Sequence, residues 1–295
     1  MKRNKGKNIN KALSLVLSLS LVCSMFTGFS LSAFAAEDDM AAKYKGDYKA
    51  PVVIEEDITQ EEFNDDLTEE SLNDIVNSFK ATDSYWSQFS EPYYNYVDGM
   101  TDAQKELYNK LYAVLYELID GGSDLTEYNK KHEQYLTLAV TQSGVSKQEA
   151  QSVAYVMLYE HPELYYLETL IKVSSTDEGD ISVQLGVYPD FKDASERESA
   201  SATIRSSMDS YLSQISADTD YDKEKQIHDL ICDNVRYTSG ASYNQTMASV
   251  FLEGKSVCAG YSEAFAALCN ACGISAMSVT SAEHEWSQVY LDGYW

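Results

Sequence analysis

A cysteine acts as a nucleophile through its thiolate, and it then needs a base for its proton and donors for the charge it creates. In "GKSVCAGYSEAFAALCNACG", residues 254–273, Cys258 follows a short polar turn, and Ala264, Phe265, Leu268 and Cys269 recur after it at helical spacing. The thiol therefore stands at or near a helix N-terminus. Unpaired N–H groups and the helix dipole there favour the thiolate, which predicts a lowered thiol pKa, and the same groups, the Cys258 N–H included, can hold a developing oxyanion. Four histidines could serve as the base. His132 falls in a stretch read as a polar helix, His161 sits beside the helix-ending Pro162, and His228 reads as a packed structural residue on "DKEKQIHDLICDNV". His284 differs from these: it heads a strand, and a strand returning past the cysteine-bearing helix can bring its first residue to that helix's start.

Cys269 and Cys272, in "CNAC", invite a redox or zinc reading. A redox pair usually places its first cysteine at a helix N-terminus, whereas these two fall in the last turns, and a zinc site wants two further ligands at regular spacing. They read as small buried helix residues.

The elements that must position Cys258 and His284 are the helix after the cysteine, a strand over 274–280, a second over 284–291 and an Asp292-Gly293 turn. Upstream, Thr101 with Gln104 forms a capping box opening a helix over 101–119, and Ser146 with Glu149 opens another that stops at His161-Pro162. Residues 128–141 read as a helix between them. The period then changes: "LYYLETLIKVSS" and "DISVQLGVYPDF" are β-rich and flank "STDEGD" as a hairpin loop. Helical spacing returns at Ile204, Met208, Tyr211, Leu212 and Ile215, and again at Ile227, Leu230, Ile231 and Val235. Residues 36–66 are acidic and read as a linker, with a short helix over 68–81 after it; the tyrosines of "YWSQFSEPYYNYV" read as core-margin residues rather than a carbohydrate platform.

The start of the chain has basic residues, an apolar run over 12–34 and Ala33-Phe34-Ala35, the pattern of a secretory signal peptide over 1–35. Among 295 residues, 47 are acidic and 22 basic, a formal charge of -25. Losing Lys2, Arg3, Lys5, Lys7 and Lys11 with a signal peptide makes the remainder more acidic still. Such a field opposes nucleic-acid backbones and anionic lipid, and leaves protein or peptide substrates, cationic cell-wall components or calcium as partners. The expected place is outside the cell, secreted or at the cell surface, with no stable membrane insertion.

"VCAGYSEAFAALCNACGI" followed by "HEWSQVYLDGYW" resembles the transglutaminase-like superfamily, and "DYDKEKQIHDLICDNVRY" is similar to the helix preceding that core in exported bacterial members. Residues 67–218 read from their spacing as a helical module with a β-hairpin, and the resemblance implies that a papain-like core of helices on an antiparallel sheet follows over 219–295, incomplete at its C-terminus, the whole being α+β. It implies Cys258 as nucleophile, His284 as general base and acid, and Trp286 as the tryptophan beside the histidine. Ser287 stands where the family usually has asparagine, and Ser256 where it has glycine. The family's aspartate that orients the histidine is expected shortly after Trp295, on a longer gene product, since Asp292 is needed in its turn. Animal relatives suggest calcium, but no D-x-D-x-D-G loop is present and no cofactor is expected. The implied chemistry is acyl transfer through a cysteine thioester, ending in cross-linking or in peptide or amide hydrolysis. The alternative is a non-catalytic wall-associated or adhesion scaffold that keeps the fold.

Overall fold

The computed structural model describes residues 47–59, 75, 85–89, 96–121 and 126–295. The expected signal peptide lies outside these, as does the helix expected over 68–81 apart from Ile75, which is helical.

A mixed six-stranded sheet lies at the centre. Its strands are β1 (Val52–Ile58), β2 (Thr126–Asn129), β3 (Gln134–Thr137), β4 (Val140–Gln142), β5 (Leu167–Thr176) and β6 (Ile181–Val187), ordered β1-β5-β6-β3-β2 with β4 also on β6. All seven residues of β6 are buried, as a strand covered on both faces requires. The β5–β6 hairpin forms as expected, with Ser175 opposite Ile181 across its loop.

Two expectations upstream are corrected. Residues 128–141 form β2 to β4, not a helix, because turn chemistry overrides the helical spacing: the Asn129 carboxamide oxygen accepts from the N–H groups of Lys131 and His132 and Glu133 adopts a φ of 54°, so the chain reverses. Tyr128 then pairs with Tyr135, rings 5.0 Å apart, and His132 lies in the turn, hydrogen-bonded to Glu56 at 2.8 Å. The acidic stretch expected as a linker contains β1, parallel to β5 with Val52 opposite Leu170. Its β-branched residues suit a strand, and its acids find partners: Glu56 meets Lys131, His132 and Lys172, and Asp57 meets Lys147. The sheet is thus larger than a hairpin and includes one parallel pair.

Two helices cover the sheet. α1 (Asp102–Leu118) and α2 (Lys147–Glu160) both carry the expected reciprocal capping boxes, and Leu107, Leu111, Val114, Leu115 and Leu118 form the buried stripe of α1. Trp86 and Phe89 are fully buried in the same core, while Tyr93 and Tyr94 of that aromatic segment lie outside the described residues.

Four helices follow: α3 (Ala194–Leu212), α4 (Asp220–Asn234), α5 (Ala248–Glu253) and α6 (Cys258–Ala271). Two short strands, β7 (Arg236–Tyr237) and β8 (Lys255–Ser256), pair in parallel, and β9 (Ala276–Thr280) and β10 (Glu285–Val289) form an antiparallel hairpin packed on α6. Apolar burial is continuous from Leu107 and Val183 to Ile227, Leu268 and Ala276, so the core crosses position 218 without a break. The fold is α+β, and no helix among the described residues is long and apolar enough to cross a membrane.

Candidate active site

The cysteine is set in place by the chain on both sides of it. Tyr237 N-terminal to it and Ser256 just before it share the β7–β8 pair, which holds Tyr237 against the start of α6. Val257 is the extended N-cap and Cys258 the first helical residue. Gly260 permits the close approach this needs: a Cβ there would lie 2.1 Å from Ser256 Oγ and 2.6 Å from the Thr246 carbonyl oxygen. Ser256, in the expected glycine position, is fully buried and satisfied, its hydroxyl 2.6 Å from that of Ser249.

The far end of α6 positions the returning strand. Gly273, at φ 77°, turns the chain, and the Ile274 N–H donates to the Cys269 carbonyl. The Asn270 carboxamide then accepts from Ala276 N–H at 2.8 Å while donating to the Phe89 carbonyl, which fixes where β9 starts. β10 pairs back with Trp286 opposite Val279, and the Ser287 hydroxyl donates to the Ser262 carbonyl of α6. Serine in the usual asparagine position thus ties strand to helix. Asp292 and Gly293, both at positive φ, form the expected turn.

At the meeting point, the main-chain N–H of Glu285 and the Tyr237 hydroxyl face Cys258 Sγ, and each favours its thiolate. Tyr237 Oη also accepts from the Cys258 N–H at 3.2 Å. One phenol therefore bridges the thiol and the very N–H expected to hold an oxyanion. Burial pushes the Cys258 thiol up; the Glu285 N–H, the Tyr237 hydroxyl and the Ala259 N–H pull it down, and the Glu285 carboxylate adds to the rise. The net shift is upward, against the lowering expected from the helix N-terminus, because the thiol is only 5% exposed and desolvation outweighs its donors.

His284 immediately precedes the residue that touches the thiol. Its ring is exposed, stacks with Trp286 at 6.3 Å between centroids, and has no hydrogen bond to Cys258 among the described residues. Strand alternation turns Glu285 inward instead, 3% exposed, while Trp286 remains 42% exposed.

The other polar candidates are elsewhere. His161 is buried, bonded to Tyr108 at 2.7 Å and Glu163 at 2.8 Å. His228 is exposed rather than packed, facing Asp229 and Cys232 on the solvent side of α4. Cys269 is fully buried in the core and Cys272 half-buried. Among the described residues, no three His, Cys, Asp or Glu side chains cluster to hold a metal ion.

Tyr237 and Glu285 were not singled out from the sequence. Glu285 carried a signal: in "HEWSQV" it shares a face with Ser287 and Val289, opposite to His284. Tyr237 carried none, since its place depends on the pairing of two-residue strands.

Comparison with known proteins gives a match of residues 209–295 to the family described as the transglutaminase-like superfamily. No curated protein matches the chain. Among solved structures the chain is similar to a "Putative Cysteine Protease from Cytophaga hutchinsonii", 19% identical with a TM-score of 0.26, over 43% of this chain and 59% of that one. It is also similar to "a TGase", 13% identical with a TM-score of 0.29, over 63% of this chain and 55% of that one. The chain thus spans between half and two thirds of the length of either structure. The segment that matches the transglutaminase-like superfamily, residues 209–295, is the segment that contains Tyr237, Cys258, His284 and Glu285.

Proposed function

We propose that this chain carries a cysteine-dependent acyl-transfer site acting on carboxamide or peptide groups. The observation that supports the reading is the place of Cys258 as the first residue of α6, facing the main chain of Glu285, the residue that follows His284 at the start of β10. In the first step His284 takes the thiol proton and the thiolate attacks the carbonyl carbon, forming a C–S bond and an oxyanion directed at the helix-start N–H groups. Collapse breaks the C–N bond, and the departing nitrogen takes the proton from His284, leaving a thioester. An amine or water then attacks, with His284 as base, and the thiol is regenerated; an amine gives a cross-link and water gives hydrolysis. The signal-peptide pattern and the acidic charge favour an exported protein acting on proteins or peptides at the cell surface.

The scaffold reading is favoured by a different observation: Tyr237 holds the Cys258 N–H, and burial opposes thiolate formation. An acylation experiment decides between the two. Full-length protein is treated with p-nitrophenyl acetate, and the adduct is located by peptide mass spectrometry. We expect a hydroxylamine-labile acyl group on Cys258, absent in Cys258→Ala, and formed about 10²-fold or more slowly in His284→Ala. Acylation of Cys258 no faster than that of exposed Cys232 sinks the enzyme reading in favour of the scaffold.

A further inference from the structure

Mechanistic roles for Cys258 and His284 leave Glu285 unused, yet its surroundings are unusual for a carboxyl. Its side chain is 3% exposed, and Oε1 has no hydrogen-bond partner among the described residues. It lines a cavity of about 20 Å³, room for about one water. Titratable groups face it from every element packed there: Tyr48 ahead of β1, Tyr159 on α2 and His161 at its end, Glu168 on β5, and Glu263 with Cys258 on α6, with Tyr237 of β7 on the far side of the sulfur. Among the described residues no lysine or arginine lines this cavity, and the ring of His161 is already held between Tyr108 and Glu163. The Glu285 carboxylate, when charged, opposes ionisation of Tyr48, Tyr159, Glu263 and Cys258 alike.

A second negative charge one residue's width from a thiolate works against that thiolate. A hydrogen-bonding amide at the same position costs nothing of the kind. We infer that Glu285 is a positioning residue for the nucleophile: its main-chain N–H faces the sulfur while its side chain stays in the acid form, so that the thiolate meets no second anion. The proton it keeps is confined by its neighbour, since the half-buried Glu263 lines the same cavity and two adjoining carboxyls do not both ionise readily. Burial pushes the Glu285 carboxyl up to about 8, and burial followed by the Glu285 charge pushes Glu263 well above the carboxylate range. Above that range of pH the loss of the Glu285 proton makes the thiol harder to ionise.

This inference rests on Cys258 being the reactive thiol, but its test reads thiol ionisation and not acyl transfer, so the two can fail separately. Iodoacetamide alkylation of Cys258 is followed by peptide mass spectrometry from pH 6 to 10 in the full chain and in Glu285→Gln. The rates should agree below pH 7 and diverge above pH 8, where the glutamine variant should react several-fold faster. Superimposed profiles overturn the proposal. Because the variant could fold poorly, the wild-type protein labelled with ¹³C-glutamate provides a second reading: the Glu285 carboxyl carbon should titrate far above the ordinary carboxylate range, and a midpoint near 4.5 overturns the proposal equally.

Discussion

Tyr237 bonds Cys258 through a single hydroxyl that accepts from its N–H and reaches its sulfur. The hydroxyl has one proton, so donating to the sulfur stabilises the thiolate, while accepting from the N–H removes the donor an oxyanion would use. Which effect governs reactivity depends on which lies on the rate-limiting step. For alkylation, which has no oxyanion, only the first applies. Tyr237→Phe should therefore slow iodoacetamide alkylation of Cys258 at pH 7 by about tenfold, the loss of one hydrogen bond to a charged group. For acylation by p-nitrophenyl acetate, the freed N–H offsets part of that loss, so the acylation rate should fall less than the alkylation rate. Equal losses in the two reactions would mean that the Cys258 N–H takes no part in holding the oxyanion.

At the scale of elements, the site is a junction of α6, the β7–β8 pair and the β9–β10 hairpin, and at Gly260 α6 packs closely on Ser256 of β8 and on Thr246 and Ser249 around the start of α5. A methyl group there meets not only the Ser256 and Ser249 hydroxyls but the Thr246 carbonyl, a backbone atom that cannot rotate away. Gly260→Ala should lower stability by about 1–3 kcal/mol, the usual cost of overpacking, and shift the urea midpoint downward. An unchanged midpoint would show that the Ser256 strand yields freely. Much of this junction was legible in the sequence because it rests on local signals: the helical spacing after Cys258, the alternation of the last two strands and the Asp292-Gly293 turn. The two capping boxes were legible for the same reason. The strands at 128–141 were not, since Tyr, Leu, Ala and Val satisfy both periods over a short window and the deciding feature was the Asn129 carboxamide in its turn. Nor was β1, whose acidic composition resembles a linker until Lys131, His132, Lys147 and Lys172 arrive from distant positions to pair with it. The inward turn of Glu285 was visible in principle, yet the thiol's burial, which reverses the expected shift of its pKa, comes only with the assembled core.

For the whole molecule, the acids act on stability in two opposite directions. Glu56 represents the first: burial alone would raise its carboxyl, but hydrogen bonds from Lys131 and His132 and the charge of Lys172 hold it at about 2, below its ordinary 4.5. A depressed carboxyl contributes stability above its unfolded pKa, and that contribution disappears as pH falls from about 4.5 towards 2. Lys131 is 73% exposed, so screening limits the effect to about 1–2 kcal/mol. Glu263 represents the second: burial, then the Glu285 charge, raises its carboxyl, so its contribution is complete below 4.5 and is lost as pH rises into the neutral range and beyond. The formal charge of -25 adds self-repulsion on the same side. Thermal unfolding from pH 2 to 9 should therefore show greatest stability near pH 5, with two limbs that separate genetically. Glu56→Gln should flatten the acid limb alone. Glu263→Gln, whose amide oxygen can still accept from the Met247 N–H, should flatten the alkaline limb alone. Added salt screens the net charge far more than these enclosed carboxyls, so in 0.5 M NaCl a residual alkaline slope should persist in the parent and shrink in Glu263→Gln, where Glu285 still titrates. If salt abolishes that slope in the parent, surface repulsion is its whole cause and the Glu263–Glu285 pair contributes nothing to it.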